Sequence, residues 1–493
     1  MFNKYFQSSK VIFFFFGVLF VIVFTLLAAD KYIGETYVFL LFTISSNMLL
    51  YFGFRKNAIF FDTFVGVFLW LGFWLKTTVR IIFLNSEFSE GLRGFYISRD
   101  TFDETLLISS IAFLSLIAAS YIRERLFFKY PDKQEEEVSG IFMFYKNHRK
   151  KVLITYTLLF VFIAFSNFYL GIYQRGEITQ TVLPFGLNGV YKWLLLFGIA
   201  SFAALILKYE FSLQKKTTFF VPILTLVEAC VTNVSLLSRG MILNASSLGI
   251  GMIKEVQVNR TKTNKKFWIV IIFLFVVLFL SSVVLVNSLR QNNANMNNSA
   301  NSVKILYNAN INMNNSANSV KILFLDRWVG IEGMIAVSSS EKKSWSLFKE
   351  ASSEKYDEHK TSFYDLNLIN SPYINTDMSK HHHISLPGFI AFFYYTGSVL
   401  FLSVVLILLS LFASLIEFLA YKLSGKNLIL AALIAQVIAY RYAHFGYVPA
   451  QSYLLFGSII LNVFIIYGMN KLLSWWYQNK KNNNCKVREN AKT

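Results

Sequence analysis

The sequence predicts an all-α polytopic membrane protein with about twelve transmembrane helices, and three observations carry that prediction. The chain of 493 residues is 55% hydrophobic and 17% aromatic, with 52 phenylalanines and only 15% charged residues. That composition departs from the soluble average toward the membrane class. Apolar runs long enough to cross a hydrocarbon core of about 30 Å recur from end to end, so the chain reads as one bundle and not as soluble domains on an anchor. The formal charge of +19 is spread over short Lys/Arg clusters between apolar runs. There the clusters act as orientation signals, and no nucleic-acid partner is expected.

Taken in order, the first run, "VIFFFFGVLFVIVFTLLAA", follows Lys4 and Lys10 and is too long for a signal-peptide core, so it reads as an uncleaved span over 11–29. Further apolar runs, each closed by polar or charged residues, give spans at 36–54, 59–83, 104–122, 152–173, 189–207, 218–237, 240–253, 267–288, 387–420, 428–446 and 452–474. An even number returns both termini to one side. That face then receives "FRKN", "RERLFFKYPDK" with "KNHRKK", "QKK", "NRTKTNKK", "SGK" and the tail "KKNNNCKVR", whereas the other receives "DKYIGE" and "EFSEGLRGFYISRDTFDE". The bias toward positive charge inside makes the first face cytoplasmic. The eighth span, "GMILNASSLGIGMI", is short and rich in small residues, but without its crossing "NRTKTNKK" would face outward. "SLLSRGMIL" (235–243) is then a tight outer turn, with Gly240 easing the reversal and Arg239 snorkelling at the interface.

The chain thus divides into a bundle of nine spans (1–288), one large outer loop (289–386), three further spans (387–474) and a basic cytoplasmic tail (475–493). The loop opens on an Asn-rich duplication, "NMNNSANSVKIL" at 295–306 and again at 312–323, which is expected to be flexible. After it, Trp328, Ile331 and Ile335 recur at helical spacing, which predicts a folded helix resting on the membrane surface or the bundle. Cys230 and Cys485 offer no disulfide framework.

Ionisable residues within or beside spans are functional candidates, because a charge at mid-bilayer costs about 2.5–3.5 kcal/mol even on the lenient insertion scale. Lys76 and Arg80 lie four apart on one helical face near the outer end of span three. Arg239, Arg290, Arg327 and Arg441, with His444 beside the last, also fall at the outer side. A ligand with clustered negative charge, such as a lipid-linked phosphate or diphosphate, accounts for such a set. Glu332, on a short helix shared with Arg327 but on another face, and the run His381 to His383 are candidates for proton transfer. Three adjacent histidines cannot converge on one metal, and no second cluster has ligand spacing, so no metal is expected. Glu228 reads as a helix-packing hydrogen bond or a proton carrier, and Asp62 and Glu417 as interfacial. There is no phosphate-binding G-x-x-x-x-G-K-[ST] loop, no G-x-G-x-x-G opening a βαβ unit and no D-x-D pair. An enzyme of this kind needs no cofactor and takes a substrate already activated, from the outer side.

With "SLLSRGMIL", "LPFGLNGVYKWLLLFGIAS", "DRWVGIEGMIAV" and later "LPGFIAFFYYTGS", the chain resembles the Wzy-type O-antigen or oligosaccharide repeat-unit polymerases of bacterial surface polysaccharide. The resemblance covers the whole chain in architecture: about a dozen spans, a late periplasmic loop and arginines facing it. It implies a GT-C-like bundle in the bacterial inner membrane, with both termini cytoplasmic. It further implies transfer of a growing glycan from undecaprenyl diphosphate to the newest lipid-linked unit, without metal. A chain-length regulator and a flippase are implied partners beside membrane lipids. On this reading Arg239, Arg327, Glu332 and His383 serve catalysis, and Lys76, Arg80, Arg239, Arg290 and Arg441 hold the diphosphate. The related ligases share this plan. A lipid-linked oligosaccharide flippase is the alternative of another class, and it would carry charge at several depths.

Overall fold

A computed structural model describes residues 2–88, 91–92, 97–131, 139–214, 218–238, 240–259, 264–296, 325, 327–371, 374 and 382–490. Each expected span coincides with a helix. The first nine are α1 (Phe2–Lys31), α2 (Thr36–Phe54), α3 (Phe60–Phe83), α4 (Arg99–Leu126), α5 (Gly140–Leu170), α6 (Pro184–Gln214), α7 (Phe220–Ser235), α8 (Met241–Val258) and α9 (Lys265–Met296). Three short helices follow: α10 (Ile331–Ser338), α11 (Trp345–Ser352) and α12 (Phe363–Asn367). Then come α13 (Phe389–Phe393), α14 (Val399–Leu423), α15 (Leu428–Ala443) and α16 (Ser452–Asn490). Eight helices among the described residues are long and apolar enough to cross a membrane. The fold is therefore an all-α polytopic membrane protein. The described β-structure is one two-residue antiparallel pairing, Gly91–Leu92 with Ile369–Asn370.

The tenth span begins later than its apolar run suggested. Residues 387–397 form α13 and a 3₁₀ turn, and α14 starts only at Val399 with Ser398 as its cap. Gly388 (φ 83°) and Gly397 (φ 72°) take left-handed backbone that interrupts the helix at both ends of this hook. Hydropathy alone does not register such breaks.

The bundle is organised around α15, in which every residue from Leu428 to Gln436 is buried. Its start is held by Asn427, whose side chain accepts from the Ile429 and Leu430 amides at 3.0 Å, and by Glu255 of α8, which accepts from the Leu428 amide at 3.3 Å. Helices α3, α6, α8 and α14 pack around it. Gly251 makes the α8 contact possible, since a Cβ there would lie 2.6 Å from the Ile429 Cα.

The loops gather at two ends of the bundle. At the basic end, Arg123 pairs with Asp62 at 2.5 Å, and Glu417 accepts from the Phe60 and Phe61 amides at 2.9 and 2.8 Å. Arg149 pairs with Glu210 at 2.7 Å, and Lys208 donates to the Gly425 carbonyl. Asp62 and Glu417 are thus buried caps and ion-pair partners, not interfacial side chains, because each satisfies the first amides of α3 or a neighbouring arginine. At the opposite end, Asp103 accepts from Tyr32 at 2.7 Å, Lys343 pairs with Glu104 at 2.7 Å, and Gly388 donates to Phe445 at 3.0 Å.

Candidate functional site

The opposite end holds two groups of cations, joined by the segment 327–332. The first is built on α3, whose middle turns are π-helical over Trp70–Leu75. That widening carries Gly72 against the chain at Val329, where no Cβ would fit, and a Cβ on Gly330 would lie 2.6 Å from the Gly72 carbonyl. Such π-bulges recur at functional sites because they re-aim the residues that follow. Here the residues that follow are Lys76 and Arg80. Both are 1% exposed and both meet Glu332, Lys76 at 2.5 Å and Arg80 at 3.4 Å. Lys76 also donates to the Trp328 carbonyl at 3.2 Å, and Arg80 donates to the Glu87 carbonyl and lies over the Phe88 ring. Every residue of α10, which carries Glu332, is buried. Of the two places expected for this helix, the membrane surface or the bundle, it takes the bundle, packed beside α4 and α13.

This arrangement changes the roles expected of three residues. Lys76 and Arg80 face a carboxylate of the protein, so their charge joins the loop to the bundle. Glu332 is held between the two cations. Arg327 lies in the turn before α10 and does not share a helix with Glu332.

The second group assembles from four segments around the turn between α7 and α8. Arg290, near the end of α9, donates to the Leu237 carbonyl at 2.7 and 3.0 Å and to the Arg175 carbonyl at 3.0 Å. The Arg175 amide in turn donates to the Leu236 carbonyl at 2.9 Å. Arg239 lies outside the described residues, but its turn is described on both sides. The reversal is carried by Leu237 (φ 48°) and not by Gly240, which has an ordinary φ of −81°. A left-handed leucine costs roughly 1 kcal/mol or more, and the Arg290 guanidinium bonded to its carbonyl holds it there. Gly240 is needed for space, since a Cβ would lie 3.0 Å from both Asn233 Oδ1 and Ser238 Oγ.

Two of the loop histidines, His382 and His383, meet the same loop. The His382 amide donates to the Gly176 carbonyl at 3.3 Å, and a Cβ on Gly176 would lie 3.2 Å from His383 Cε1 and 4.0 Å from Arg290 Nη2. His381 lies outside the described residues. Rings of Tyr356, His382 and Tyr447 adjoin one another at 5.6–6.1 Å between centroids.

On the other flank stands Arg441, at the last turn of α15, donating to the Tyr447 carbonyl and Ser452 Oγ, both at 3.3 Å. His444, just beyond α15, stacks on Tyr440 at 4.0 Å. His382 links both flanks, its amide bonded to the Gly176 carbonyl and its ring beside Tyr447, whose carbonyl accepts from Arg441. Among the described residues neither Arg175 nor Arg441 has a carboxylate within ion-pair distance. Trp328 ties the two groups together: it stacks on Phe68, which meets Tyr440.

Arg175 is the member that the span pattern did not single out. Its signal was present in "YQRGE", an Arg-Gly pair in a loop like Arg93-Gly94 and Arg239-Gly240. No group of three His, Cys, Asp or Glu residues suited to a metal occurs among the described residues. Glu228 is buried and accepts from Thr232 at 3.0 Å, one turn away on its own helix. Comparison of the chain with protein-family models, curated proteins and solved structures finds no match, so the site is read from its own geometry.

Proposed function

We propose that this protein is a membrane glycosyltransferase that polymerises undecaprenyl-diphosphate-linked oligosaccharide repeat units at the periplasmic face of the bacterial inner membrane. On this reading all twelve helices cross, both termini are cytoplasmic and the segment 289–386 is periplasmic. The observation that carries the proposal is the meeting of Arg175, Arg290 and Arg441 at one loop cluster: Arg290 binds the Arg175 carbonyl and the turn that bears Arg239, His382 joins Gly176 to Tyr447, and Arg441 binds the Tyr447 carbonyl.

The chemistry asks for such a site. The acceptor hydroxyl attacks the anomeric carbon of the donor, and undecaprenyl diphosphate departs with inversion. A diphosphate is already a good leaving group, so the protein must mainly hold it and neutralise the charge that grows as the bond breaks. Fixed guanidinium groups do this well because they are planar, permanently charged and oriented in advance. The Tyr356, His382 and Tyr447 rings beside the cluster give a sugar a flat apolar face to rest on. Charge concentrated at one end of the bundle favours transfer there over a path across the membrane.

The test is an assay of the purified protein in nanodiscs with undecaprenyl-diphosphate repeat units, read as a ladder of products. Wild type forms the ladder. Arg175→Ala and Arg441→Ala lower the rate by about a hundredfold or more while the protein stays folded, as expected on loss of a charge-stabilising group. A wild type that forms no ladder from authentic substrate contradicts the proposal.

A further inference from the structure

Three segments far apart in the chain bring their rings to one place in the loop cluster. Tyr356 follows α11, His382 precedes α13 and Tyr447 follows α15. The ring centroids lie 5.6–6.1 Å apart, with planes inclined to one another at 48–60°. Hydrogen bonds fix each segment: Glu354 accepts from the Val448 amide at 3.0 Å, the His382 amide donates to the Gly176 carbonyl at 3.3 Å, and Arg441 donates to the Tyr447 carbonyl at 3.3 Å. Within this frame the Tyr356 side is open, the residue being 48% exposed. Its hydroxyl donates to Glu358 Oε1 at 3.0 Å, which sets a carboxylate at the edge of the ring.

Two polar atoms of the same cluster are buried with hydrogen-bonding capacity unfilled among the described residues, His382 Nε2 and Tyr447 Oη. His382 Nδ1 lies 3.0 Å from the Glu358 carbonyl. A carbonyl only accepts, so in the neutral ring Nδ1 carries the hydrogen and Nε2 keeps its lone pair. One ring thus lacks a donor and the adjoining ring has a hydrogen to give. A single hydroxyl meets both needs, since it donates to Nε2 and accepts from the tyrosine.

We propose that Tyr356, Glu358, His382 and Tyr447 form a subsite for a neutral pyranose of the glycan, with the sugar stacked on Tyr356 and its hydroxyls read by Glu358 and by the His382–Tyr447 pair. This rests on the function proposed above and names the class of sugar that its site accepts. One face of a pyranose is rich in C–H groups of partial positive charge, which lie well on the negative face of an aromatic ring. The hydroxyls at its rim point sideways, where a carboxylate accepts them in short, charge-assisted hydrogen bonds. Glu358 gives one oxygen to Tyr356 and has a second for the sugar. The same carboxylate repels a uronic acid or any other acidic sugar, because two like charges would meet at close range. The fixed Tyr447 carbonyl, bonded to Arg441, keeps the subsite next to the arginines that hold the diphosphate.

Two readouts on the full-length protein in nanodiscs separate this proposal from the one it rests on. The first is saturation-transfer NMR with the methyl pyranosides of glucose, galactose, mannose, rhamnose and N-acetylglucosamine as probes, beside methyl glucuronide. The expected result is transfer to the C–H protons of at least one neutral pyranoside, strongest on one face, and none to the glucuronide. Tyr356→Ala should abolish the transfer, whereas Tyr356→Trp, which keeps an aromatic face, should retain it. No transfer to any neutral pyranoside, equal transfer to the glucuronide, or transfer unchanged in Tyr356→Ala overturns the proposal. In the ladder assay, Tyr356→Ala should raise KM for the lipid-linked units about tenfold with kcat little changed, as expected on loss of a contact made equally in the ground and transition states. A KM equal to that of wild type overturns the subsite and leaves the polymerase reading standing. Pyranoside binding that depends on Tyr356, in a wild type that makes no ladder, supports the subsite and overturns the polymerase reading.

Discussion

At the scale of single residues, the charges at the end opposite the basic loops include some that hold the protein together. Glu332 sits between Lys76 and Arg80, all three buried. Removing one partner from such a group leaves uncompensated charge and typically costs about 3–5 kcal/mol. Glu332→Gln should therefore lower the unfolding temperature sharply, with activity lost in proportion to folded protein. If Glu332 were the base, the variant would keep its stability and lose only turnover. Arg290 has a different task. Arg290→Ala frees the Leu237 carbonyl, so amide exchange in peptides covering 236–243 should accelerate at least tenfold while the rest of the protein is unchanged. Arg290→Lys should not restore protection, because one ammonium cannot reproduce the fork that spans the Leu237 and Arg175 carbonyls. These roles were only half legible in the sequence. Lys76 and Arg80 announced themselves as charges on an apolar helix, but their carboxylate lies some 256 positions away. A side chain's partner at that distance is decided by tertiary packing, which spacing does not encode.

At the scale of elements, helix positions were readable and helix interruptions were not. Each apolar run became a helix because a backbone without water must satisfy its own hydrogen bonds. The π-bulge of α3 and the hook at 387–397 escaped notice because both keep the apolar composition of their neighbours. The small residues of α8 were the legible exception, and they predict a close helix contact. Gly251→Val should weaken the α8–α15 packing and lower the unfolding temperature. Gly249→Ala, where a Cβ meets nothing within 4 Å, should be neutral. Thermal unfolding in detergent distinguishes them, and equal effects would show that α8 is not seated on α15 through Gly251. Deleting one residue within Trp70–Leu75 should abolish the Lys76–Glu332 pair, since a lost residue rotates everything after it by roughly 100°.

For the whole molecule, the segregation of loops is the property on which function depends. The loops at the basic end contact one another and those at the other end contact one another, as the charge pattern implied. The Lys and Arg pattern gives an expected sidedness, whereas the meeting of Arg175, Arg290 and Arg441 at one loop cluster required the fold. If the assignment of faces is right, Cys485 should react with an impermeant maleimide only after the cells are opened. A cysteine introduced at the exposed Lys355 should react in intact spheroplasts. The central claim is that glycan transfer takes place at the arginine cluster on the outer face. It is tested most directly in proteoliposomes of uniform orientation, with lipid-linked repeat units supplied to one leaflet at a time. The account predicts polymer only when substrate is on the face bearing Arg175 and Arg441, and none with Arg175→Ala. Substrate that crosses to the far leaflet without being joined, or polymer formed at the face of the basic tail, would contradict it.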